Sequence, residues 1–200
     1  MIAIIDLGMS NVVSVANALN SLGLDNSIVT KGDDLHEFDR IILPGVGSFK
    51  SASKKLSATG LRECLINEVL QGKPILGICL GAQILMDNGE EGGLSSGLGL
   101  IKGTVKRLGC GDKYRLPHVG WNDVSVGEVG ILKGVVKPCF YFVHSYCVEL
   151  AEDCKYATTE YGVSFVSAFQ KGHICGTQFH PEKSRGAGMA VLKEFAGVKA

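Results

Sequence analysis

The sequence predicts an α/β fold with a mostly parallel central sheet, flanking helices, and additional antiparallel or mixed strands in the C-terminal half. Three observations support this. Short apolar runs alternate with segments of helical periodicity in the first half of the chain. Those runs have no polar face, as expected of strands covered by helices on both sides. Beyond residue 100, short strand-like segments separated by glycine and polar turns dominate.

The first half supplies the elements of the parallel sheet. Strands are predicted at residues 2–6, 28–29, 40–43 and 74–78. Helices are predicted at residues 11–22, at about 49–70 with a break near Gly60, and at 82–86. Because ligands bind outside the carboxyl ends of parallel strands, the loops that follow these strands are expected to build the functional site.

The second half supplies the added strands. They are predicted at Val105 and at residues 124–126, 140–143, 156–159, 163–169 and 174–179, and a last helix at 188–195. We find no linker, repeat or low-complexity segment in the sequence, so one domain over residues 1–200 is expected.

Composition excludes several classes of function. Twenty basic and twenty acidic side chains cancel, so neither a nucleic acid nor a membrane surface is expected as a partner. The first residues lack the features of a signal peptide, and no apolar run approaches the ~20 residues of a membrane span. These features predict a cytoplasmic protein.

Seven cysteines are present, and none belongs to a C-x-x-C pair. Zinc-ribbon and thioredoxin-like sites therefore lack support, and we predict neither a metal nor a cofactor. In a reducing compartment the cysteines should be free thiols, each most simply a small buried hydrophobe. A reactive cysteine must be distinguished by its setting.

Cys79 has such a setting. It is the centre of a G-x-C-x-G segment, between Gly77 and Gly81, that follows a predicted strand and precedes a helix. This is the cysteine form of the nucleophile elbow, in which a strained, exposed turn presents the nucleophile beside a helix N-terminus. The N–H of Leu80 would then point to a developing oxyanion. The alternative is a buried cysteine in a glycine-rich connection.

A cysteine nucleophile needs a base, and His180 is the best candidate among five histidines. It follows a predicted strand and is separated from Glu182 only by Pro181, which favours extended backbone. Residues i and i+2 of an extended chain face the same way, so Glu182 can orient the imidazole. The alternative is a surface turn with a solvated glutamate. Together with the elbow, this pair predicts a Cys79–His180–Glu182 triad.

Both motifs resemble those of class I (triad-type) glutamine amidotransferases, which carry G-I-C-x-G-x-Q and H-P-E. Within that family, further segments look like the glutaminase subunit of imidazole glycerol phosphate synthase. Those segments are residues 4–11, 43–49, 117–122 and 141–146. The resemblance covers nearly the whole chain and implies an α/β fold with added strands.

The resemblance also implies a reaction and a set of roles. Cys79 would attack the side-chain amide of L-glutamine, giving a thioester and ammonia, and water would release glutamate. The oxyanion hole would use backbone amides at Leu80 and in the loop that contains Val46 and Gly47. The implied substrate-binding residues are Gln83, Glu91, His144 and Ser145. These four could instead have purely structural roles.

A partner is implied as well. The ammonia would pass to a (β/α)8 cyclase subunit in a heterodimer, which makes imidazole glycerol phosphate and AICAR in histidine biosynthesis. Trp121, Asn122 and Lys183 would lie at that interface. The segment Leu7–Val13 departs from the family pattern where the family meets its cyclase, because Ser10 replaces a glycine and Val13 an arginine.

That departure leaves alternatives open. A paralogous glutaminase could supply ammonia to an enzyme that builds amidino sugars for surface polysaccharides. A non-catalytic binding module of the same fold would predict a broken or blocked triad, whereas all three residues are present. A cysteine peptidase could use the same elbow but would need an open cleft for an extended peptide.

Overall fold

The computed structural model describes residues 1–32 and 35–197, so the predicted domain of residues 1–200 includes five positions outside the described part. The helices are α1 (Val12–Ser21), α2 (Phe49–Ala58), α3 (Leu61–Leu70), α4 (Leu80–Ile84) and α5 (Arg185–Ala196). No helix in the described ranges is both long and apolar enough to cross a bilayer.

Thirteen strands are found in the described residues. They are β1 (Ile2–Ile5), β2 (Asn26–Val29), β3 (Arg40–Gly45), β4 (Ile75–Cys79), β5 (Met86–Gly89), β6 (Ser95–Ser96), β7 (Ile101–Arg107), β8 (His118–Asp123), β9 (Cys139–His144), β10 (Tyr146–Leu150), β11 (Lys155–Glu160), β12 (Ser164–Lys171) and β13 (Ile174–Thr177).

The main sheet has seven strands in the order β11-β12-β13-β4-β3-β1-β2. Strands β13, β4, β3, β1 and β2 run parallel, and β12 and β11 extend the sheet by antiparallel pairing. Strands β10, β7, β5 and β6 form a second sheet, and β8 pairs with β9. The predicted fold class is therefore confirmed.

The main sheet has a hydrophobic core on each face. Ile4 lies in a core with Leu19 of α1 and Leu192 of α5. The next residue, Ile5, lies in a second core with Leu65 of α3. Successive side chains of a strand point to opposite faces, so burial of both explains why the strands have no polar face.

Two local predictions are wrong. The helix predicted at residues 82–86 ends at Ile84, and Met86 begins β5. Here the carbonyls of Ile84 and Leu85 accept N–H groups from residues 98, 100 and 101 instead of from a further helical turn. The strand predicted at residues 124–126 is also absent. In this segment Ser125 makes only an isolated bridge to Thr158, because regular pairing with β9 ends at Asp123.

The remaining elements agree closely with the prediction. The long helical stretch is broken at Gly60, whose φ of 71° ends α2 and allows α3 to begin. The strands that were not predicted are β5, β6, β8 and β10. They are short or carry polar residues and lack a clear alternating pattern.

Candidate active site

Cys79 stands at the sharp turn between β4 and α4. Its backbone has φ 54° and ψ −111°, and only one other non-glycine residue in the described chain, Arg185, has a positive φ. Such a conformation costs roughly 1–3 kcal/mol and persists only where the surroundings enforce it. The strained turn expected of a nucleophile elbow is present.

The two flanking glycines make this turn possible. A Cβ at Gly81 would lie 1.6 Å from the carbonyl oxygen of Leu43 in β3. A Cβ at Gly77 would lie 2.6 Å from the backbone nitrogen of Ala82. Both distances are far inside van der Waals contact, so only glycine permits α4 to pack this closely against β3 and β4.

The Cys79 side chain is less exposed than predicted. We expected an exposed turn, but the residue is only 6% exposed. Its sulfur lies 3.8 Å from the carbonyl oxygen of Val143 in β9, which covers it from one side. Because α4 has five residues, its dipole can contribute little to thiolate stability.

His180 and Glu182 form the predicted pair. Nδ1 of His180 lies 2.8 Å from Oε1 of Glu182, and both side chains are almost fully buried. Glu182 belongs to a 3-10 turn, Pro181–Lys183, rather than to the extended chain we expected. The turn still directs the carboxylate back to the imidazole.

Ser184 holds His180 in place through the backbone. Its hydroxyl donates to the carbonyl of His180 at 2.6 Å and accepts the N–H of Tyr141 at 3.0 Å. The N–H of His180 in turn donates to the carbonyl of Tyr141 at 2.9 Å. The segment that carries the base is thereby tied to β9.

The electrostatic environment of His180 favours its protonated form. Burial alone would lower the pKa of the imidazole, but interactions with Cys79 and Glu182 outweigh burial and raise that pKa from 6.5 to about 10. Nε2 of His180 is buried and has no hydrogen-bond partner among the described residues. The Cys79 sulfur is thus one cause of the raised pKa of His180, although no hydrogen bond joins the sulfur to Nε2 in this conformation.

A pocket of about 180 Å³ opens beside the sulfur. This is smaller than the ~300–1,000 Å³ of a pocket for a drug-sized ligand and suits a single amino acid. It brings together all eight predicted oxyanion-hole, substrate-binding and nucleophilic residues. They are Val46, Gly47, Cys79, Leu80, Gln83, Glu91, His144 and Ser145.

Two of these side chains also hold neighbouring elements. Gln83 donates its amide hydrogens to the carbonyl of Tyr146 at 2.8 Å and to Oε1 of Gln178 at 3.0 Å. Oε2 of Glu91 accepts the N–H of Phe49, at the start of α2, at 2.9 Å. Glu91 therefore places a carboxylate at the pocket while capping a helix.

The loop after β3 has a defined hydrogen-bond arrangement. The N–H of Val46 donates to the carbonyl of Met9 at 2.8 Å. Gly47 has φ 104°, a conformation that favours glycine. In this conformation the Val46 amide is engaged, so its predicted part in an oxyanion hole requires the peptide to turn.

Our prediction from sequence missed Gln178 and His118. Gln178 is 3% exposed, and its Nε2 donates to the Cys79 sulfur at 3.5 Å. It lies two residues before His180, so the same i, i+2 spacing that linked His180 to Glu182 could have indicated it. Nδ1 of His118 lies 3.1 Å from Nε2 of His144, a pairing that depends on the register of β8 and β9.

His144 is held in its neutral form. Burial is the main cause, and it lowers the pKa of the imidazole from 6.5 to about 4. Nδ1 lies 2.9 Å from the carbonyl of Tyr146, which can only accept, so Nδ1 carries the hydrogen. Nε2 is then an acceptor for the N–H of His118.

We expect this neutral histidine to make the fold sensitive to acid. A folded pKa below the unfolded one gives stability that is present above pH 6.5 and is lost as pH falls to 4. The full loss would be about 3 kcal/mol. Burial also lowers the pKa of His118, which acts in the same direction. Urea unfolding between pH 7 and 4 should show a shallower decline for His144→Asn than for the natural protein, and equal slopes would contradict this.

Two of the three predicted interface residues, Trp121 and Lys183, lie at an aromatic pair formed by Trp121 and Tyr141. Trp121 is 46% exposed, with the guanidinium of Arg185 5.2 Å above its ring. Lys183 places its ammonium 5.8 Å from the ring centre of Tyr141, which packs edge-on against Trp121. The Asn122 side chain points to the opposite face of β8 from Trp121 and donates to the carbonyl of Glu160 at 2.9 Å, so it stabilises the fold rather than this aromatic pair.

Comparisons with known proteins find relatives that match nearly the whole chain. Residues 3–197 match the family described as Glutamine amidotransferase class-I. Two curated relatives are named imidazole glycerol phosphate synthase subunit HisH 1, in Campylobacter jejuni, and subunit HisH, in Methanothermobacter thermautotrophicus. They are 44% and 45% identical, covering 98% and 99% of this chain and 98% of each relative. The Bacillus subtilis subunit HisH is 41% identical, over 100% of this chain and 97% of its own.

Solved structures share the fold. A crystal structure of a glutamine amidotransferase superposes with a TM-score of 0.78 at 20% identity, covering 98% of this chain and 99% of its own. The PurLQS structure from Thermotoga maritima gives a TM-score of 0.73 at 18% identity, with coverage of 98% and 97%. At these identities the likeness concerns the fold alone.

Proposed function

Because this chain belongs to the class I glutamine amidotransferase family, we propose that it is the glutaminase subunit of an imidazole glycerol phosphate synthase. It would hydrolyse L-glutamine to glutamate and ammonia. The observation that carries this proposal is the position of Cys79. It lies on a strained turn, at the wall of an amino-acid-sized pocket, and it interacts with the imidazole of the His180–Glu182 pair.

The first half of the reaction forms a thioester. His180 takes the thiol proton through Nε2, and the Cys79 sulfur attacks the side-chain amide carbon of glutamine. The resulting imidazolium is stabilised by Glu182. It returns its proton to the amide nitrogen, the C–N bond breaks, and ammonia leaves.

The second half releases glutamate. Water, deprotonated by His180, attacks the thioester carbon, the C–S bond breaks, and the thiol is restored. Both tetrahedral intermediates carry an oxyanion, which the N–H of Leu80 would stabilise with an amide at Val46 or Gly47. Since Met9 engages the Val46 amide, low activity without a partner is expected.

The pocket offers matching groups for the rest of the substrate. The Glu91 carboxylate would pair with the α-ammonium group, and Gln83 would bind a polar end of glutamine. His144 and Ser145 would contact the α-carboxylate end, partly through the backbone. All four residues line the pocket. Both ring nitrogens of His144 are engaged, by the Tyr146 carbonyl and by His118, so His144 would contact the α-carboxylate end through its backbone.

The ammonia would pass to a (β/α)8 cyclase subunit in a heterodimer, which uses it to make imidazole glycerol phosphate and AICAR. We propose the surface around Trp121, Asn122 and Lys183 as the contact with that partner. Exposed Trp121, with Arg185 and Lys183 beside it, has the aromatic and cationic character of an interface anchor. A cytoplasmic location belongs to the same proposal, since seven free thiols suit a reducing compartment.

The alternatives are less well supported. The names of the relatives favour the histidine-pathway synthase over the amidino-sugar pathway. A pocket of about 180 Å³ suits one amino acid better than an extended peptide, which argues against a peptidase. The hydrogen-bonded His180–Glu182 pair argues against a non-catalytic module.

The test measures glutamate release from glutamine by the purified chain, alone and with each of two candidate partners. One is the histidine-pathway cyclase and the other a sugar-modifying synthase. The proposal predicts stimulation by the cyclase. Stimulation only by the sugar-modifying partner would overturn the assignment to histidine biosynthesis, while hydrolysis of glutamine would still stand.

Trp121→Ala tests the proposed interface. We expect cyclase binding to weaken by roughly thirtyfold or more, because a truncated aromatic anchor costs about 2 kcal/mol or more. Affinity can be measured by calorimetry. Tyr156→Ala provides a matched control, since Tyr156 is a 54% exposed aromatic residue in β11, outside the proposed surface. Equal affinities of the two variants would contradict the assignment of this surface.

A further inference from the structure

The Cys79 sulfur has a hydrogen-bond donor that the triad does not include. Nε2 of Gln178 lies 3.5 Å from the sulfur, and the residue is 3% exposed. On another side, the sulfur lies 3.8 Å from the carbonyl oxygen of Val143, which can only accept. A thiol can donate to that carbonyl, but a thiolate cannot. Gln178 is therefore the neighbour whose interaction strengthens when the sulfur loses its proton.

The orientation of the Gln178 amide follows from the backbone carbonyl of Tyr146, which can only accept a hydrogen bond. The carbonyl of Tyr146 receives one amide hydrogen of Gln83, which fixes the nitrogen of that side chain. The second hydrogen of the same nitrogen must find an acceptor, which is Oε1 of Gln178 at 3.0 Å. The amide nitrogen of Gln178 is thus directed to Cys79. The chain of bonds presents a donor, not an acceptor, to the sulfur.

The backbone of Gln178 is equally constrained. Its N–H donates to the carbonyl of Ser167 in β12 at 2.8 Å, just beyond the end of β13. Gln83 is fixed by α4 and is 4% exposed. The two glutamines come from different elements and meet in a buried position, where a polar side chain without a partner costs free energy.

We propose that Gln178 is a further catalytic residue, which donates a hydrogen bond to the Cys79 thiolate, and that Gln83 positions it. This inference rests on the proposed glutaminase function. When His180 takes the thiol proton, negative charge appears on a sulfur that is largely shielded from water. The Gln178 amide supplies part of the stabilisation that water would give, without the reorganisation that water would need.

Gln83 has a positioning role in addition to the substrate-binding role that the family resemblance implies. Both of its amide hydrogens are used within the protein, which leaves Oε1 as its polar atom for a ligand. Gln83 would therefore act on the substrate only as an acceptor, while its nitrogen holds the orientation of Gln178. The competing explanation is that the two buried glutamines only satisfy each other's hydrogen bonds. That explanation predicts no change in the reactivity of the Cys79 sulfur when Gln178 is replaced, whereas a catalytic Gln178 predicts a loss of reactivity.

The test measures the rate at which iodoacetamide alkylates Cys79 between pH 5 and 10, resolved from the other cysteines by peptide mass spectrometry. This readout does not depend on glutamine hydrolysis, so it separates failure of this proposal from failure of the proposed function. For Gln178→Met, we expect the half-maximal pH of alkylation to rise by about one unit and the rate at neutral pH to fall about tenfold. This is the lower end of what a hydrogen bond to a charged group contributes.

Gln170→Met is the matched control. Gln170 is a partly buried glutamine of β12 whose amide donates to the carbonyl of Gly172, outside the pocket. Its alkylation profile should equal that of the natural protein. If Gln178→Met fails to fold, Gln178→Asn keeps the amide but withdraws it from the sulfur, and it should show the same shift. An unchanged profile in a folded Gln178 variant overturns the proposal.

A double-variant cycle tests the part assigned to Gln83. If Gln83 acts on the sulfur through Gln178, then Gln83→Met combined with Gln178→Met should alkylate no more slowly than Gln178→Met alone. Additive losses would show that Gln83 acts on the sulfur independently and would contradict the positioning role.

Discussion

Cys79→Ala should abolish glutamine hydrolysis, with a loss of roughly 10⁴-fold or more, while leaving the fold intact. The loss follows because no other side chain at the pocket can form the thioester, and the members of a triad act as a unit. Stability should change by no more than about 1 kcal/mol, because alanine keeps the same backbone strain and leaves only a small void. Glutamate release in the presence of the cyclase measures the loss of activity, and thermal unfolding measures the change in stability.

The basis of this prediction differs from the one that the sequence suggested. Cys79 is not on an exposed turn, so tolerance of the substitution depends on its small size and on its place beside a pocket. Cys139→Ala is a suitable control, since Cys139 begins β9 and does not line the pocket. Retention of activity by Cys79→Ala would refute the mechanism, whatever the control shows.

His180→Asn should lose nearly as much activity, roughly 10⁴-fold, because asparagine cannot accept the thiol proton or return it to the leaving nitrogen. Glu182→Gln should lose less, roughly 10²-fold, since the imidazole remains but its orientation and its charged form are less well supported. Initial rates of glutamate release with saturating cyclase give both values. Glu128→Gln, at a glutamate whose side chain is 89% exposed, should be without effect.

The relative size of these two losses shows whether the imidazole or the carboxylate is the essential group. A larger loss in Glu182→Gln than in His180→Asn would show that the carboxylate, not the imidazole, is the essential group. Because interactions with Glu182 and Cys79 raise the pKa of His180, Glu182→Gln should also lower the pH at which His180 loses its proton. NMR of the imidazole protons can follow that titration.

The strained turn at Cys79 and the His180–Glu182 pair could be predicted from sequence because each of these motifs is local. The elbow needs five consecutive residues, and its two glycines are explained by contacts within the strand–turn–helix unit and with β3. The His180–Glu182 pair needs only three consecutive residues. Both interactions depend on short-range geometry, which residue spacing predicts directly.

The surroundings of the sulfur could not be predicted in the same way. The carbonyl of Val143 covers Cys79 from β9, and the carbonyl of Tyr146 orients Gln83 and Gln178 from β10. These backbone groups lie more than sixty residues along the chain from Cys79 and Gln83, and backbone carbonyls carry no sequence signal. The shielding of Cys79 and the polarity of its hydrogen-bond chain therefore emerge only from the packed structure.

The differences in secondary structure have a similar origin. Met86 follows an apolar, helix-like stretch. However, the N–H groups of residues 98–101 donate to the carbonyls of residues 84–86, so the chain continues as β5 instead of as helix. Long-range pairing of this kind overrides local propensity. The central parallel strands were predictable because both of their faces are buried by helices whose own periodicity is clear.

The most direct measurement is labelling with a glutamine analogue that carries a chloroketone in place of the side-chain amide, followed by peptide mass spectrometry. The mechanism predicts one adduct, on Cys79, that is suppressed by excess glutamine and absent in Cys79→Ala. An adduct on any of the other six cysteines with Cys79 unmodified would contradict the central claim that Cys79 is the nucleophile of a glutaminase.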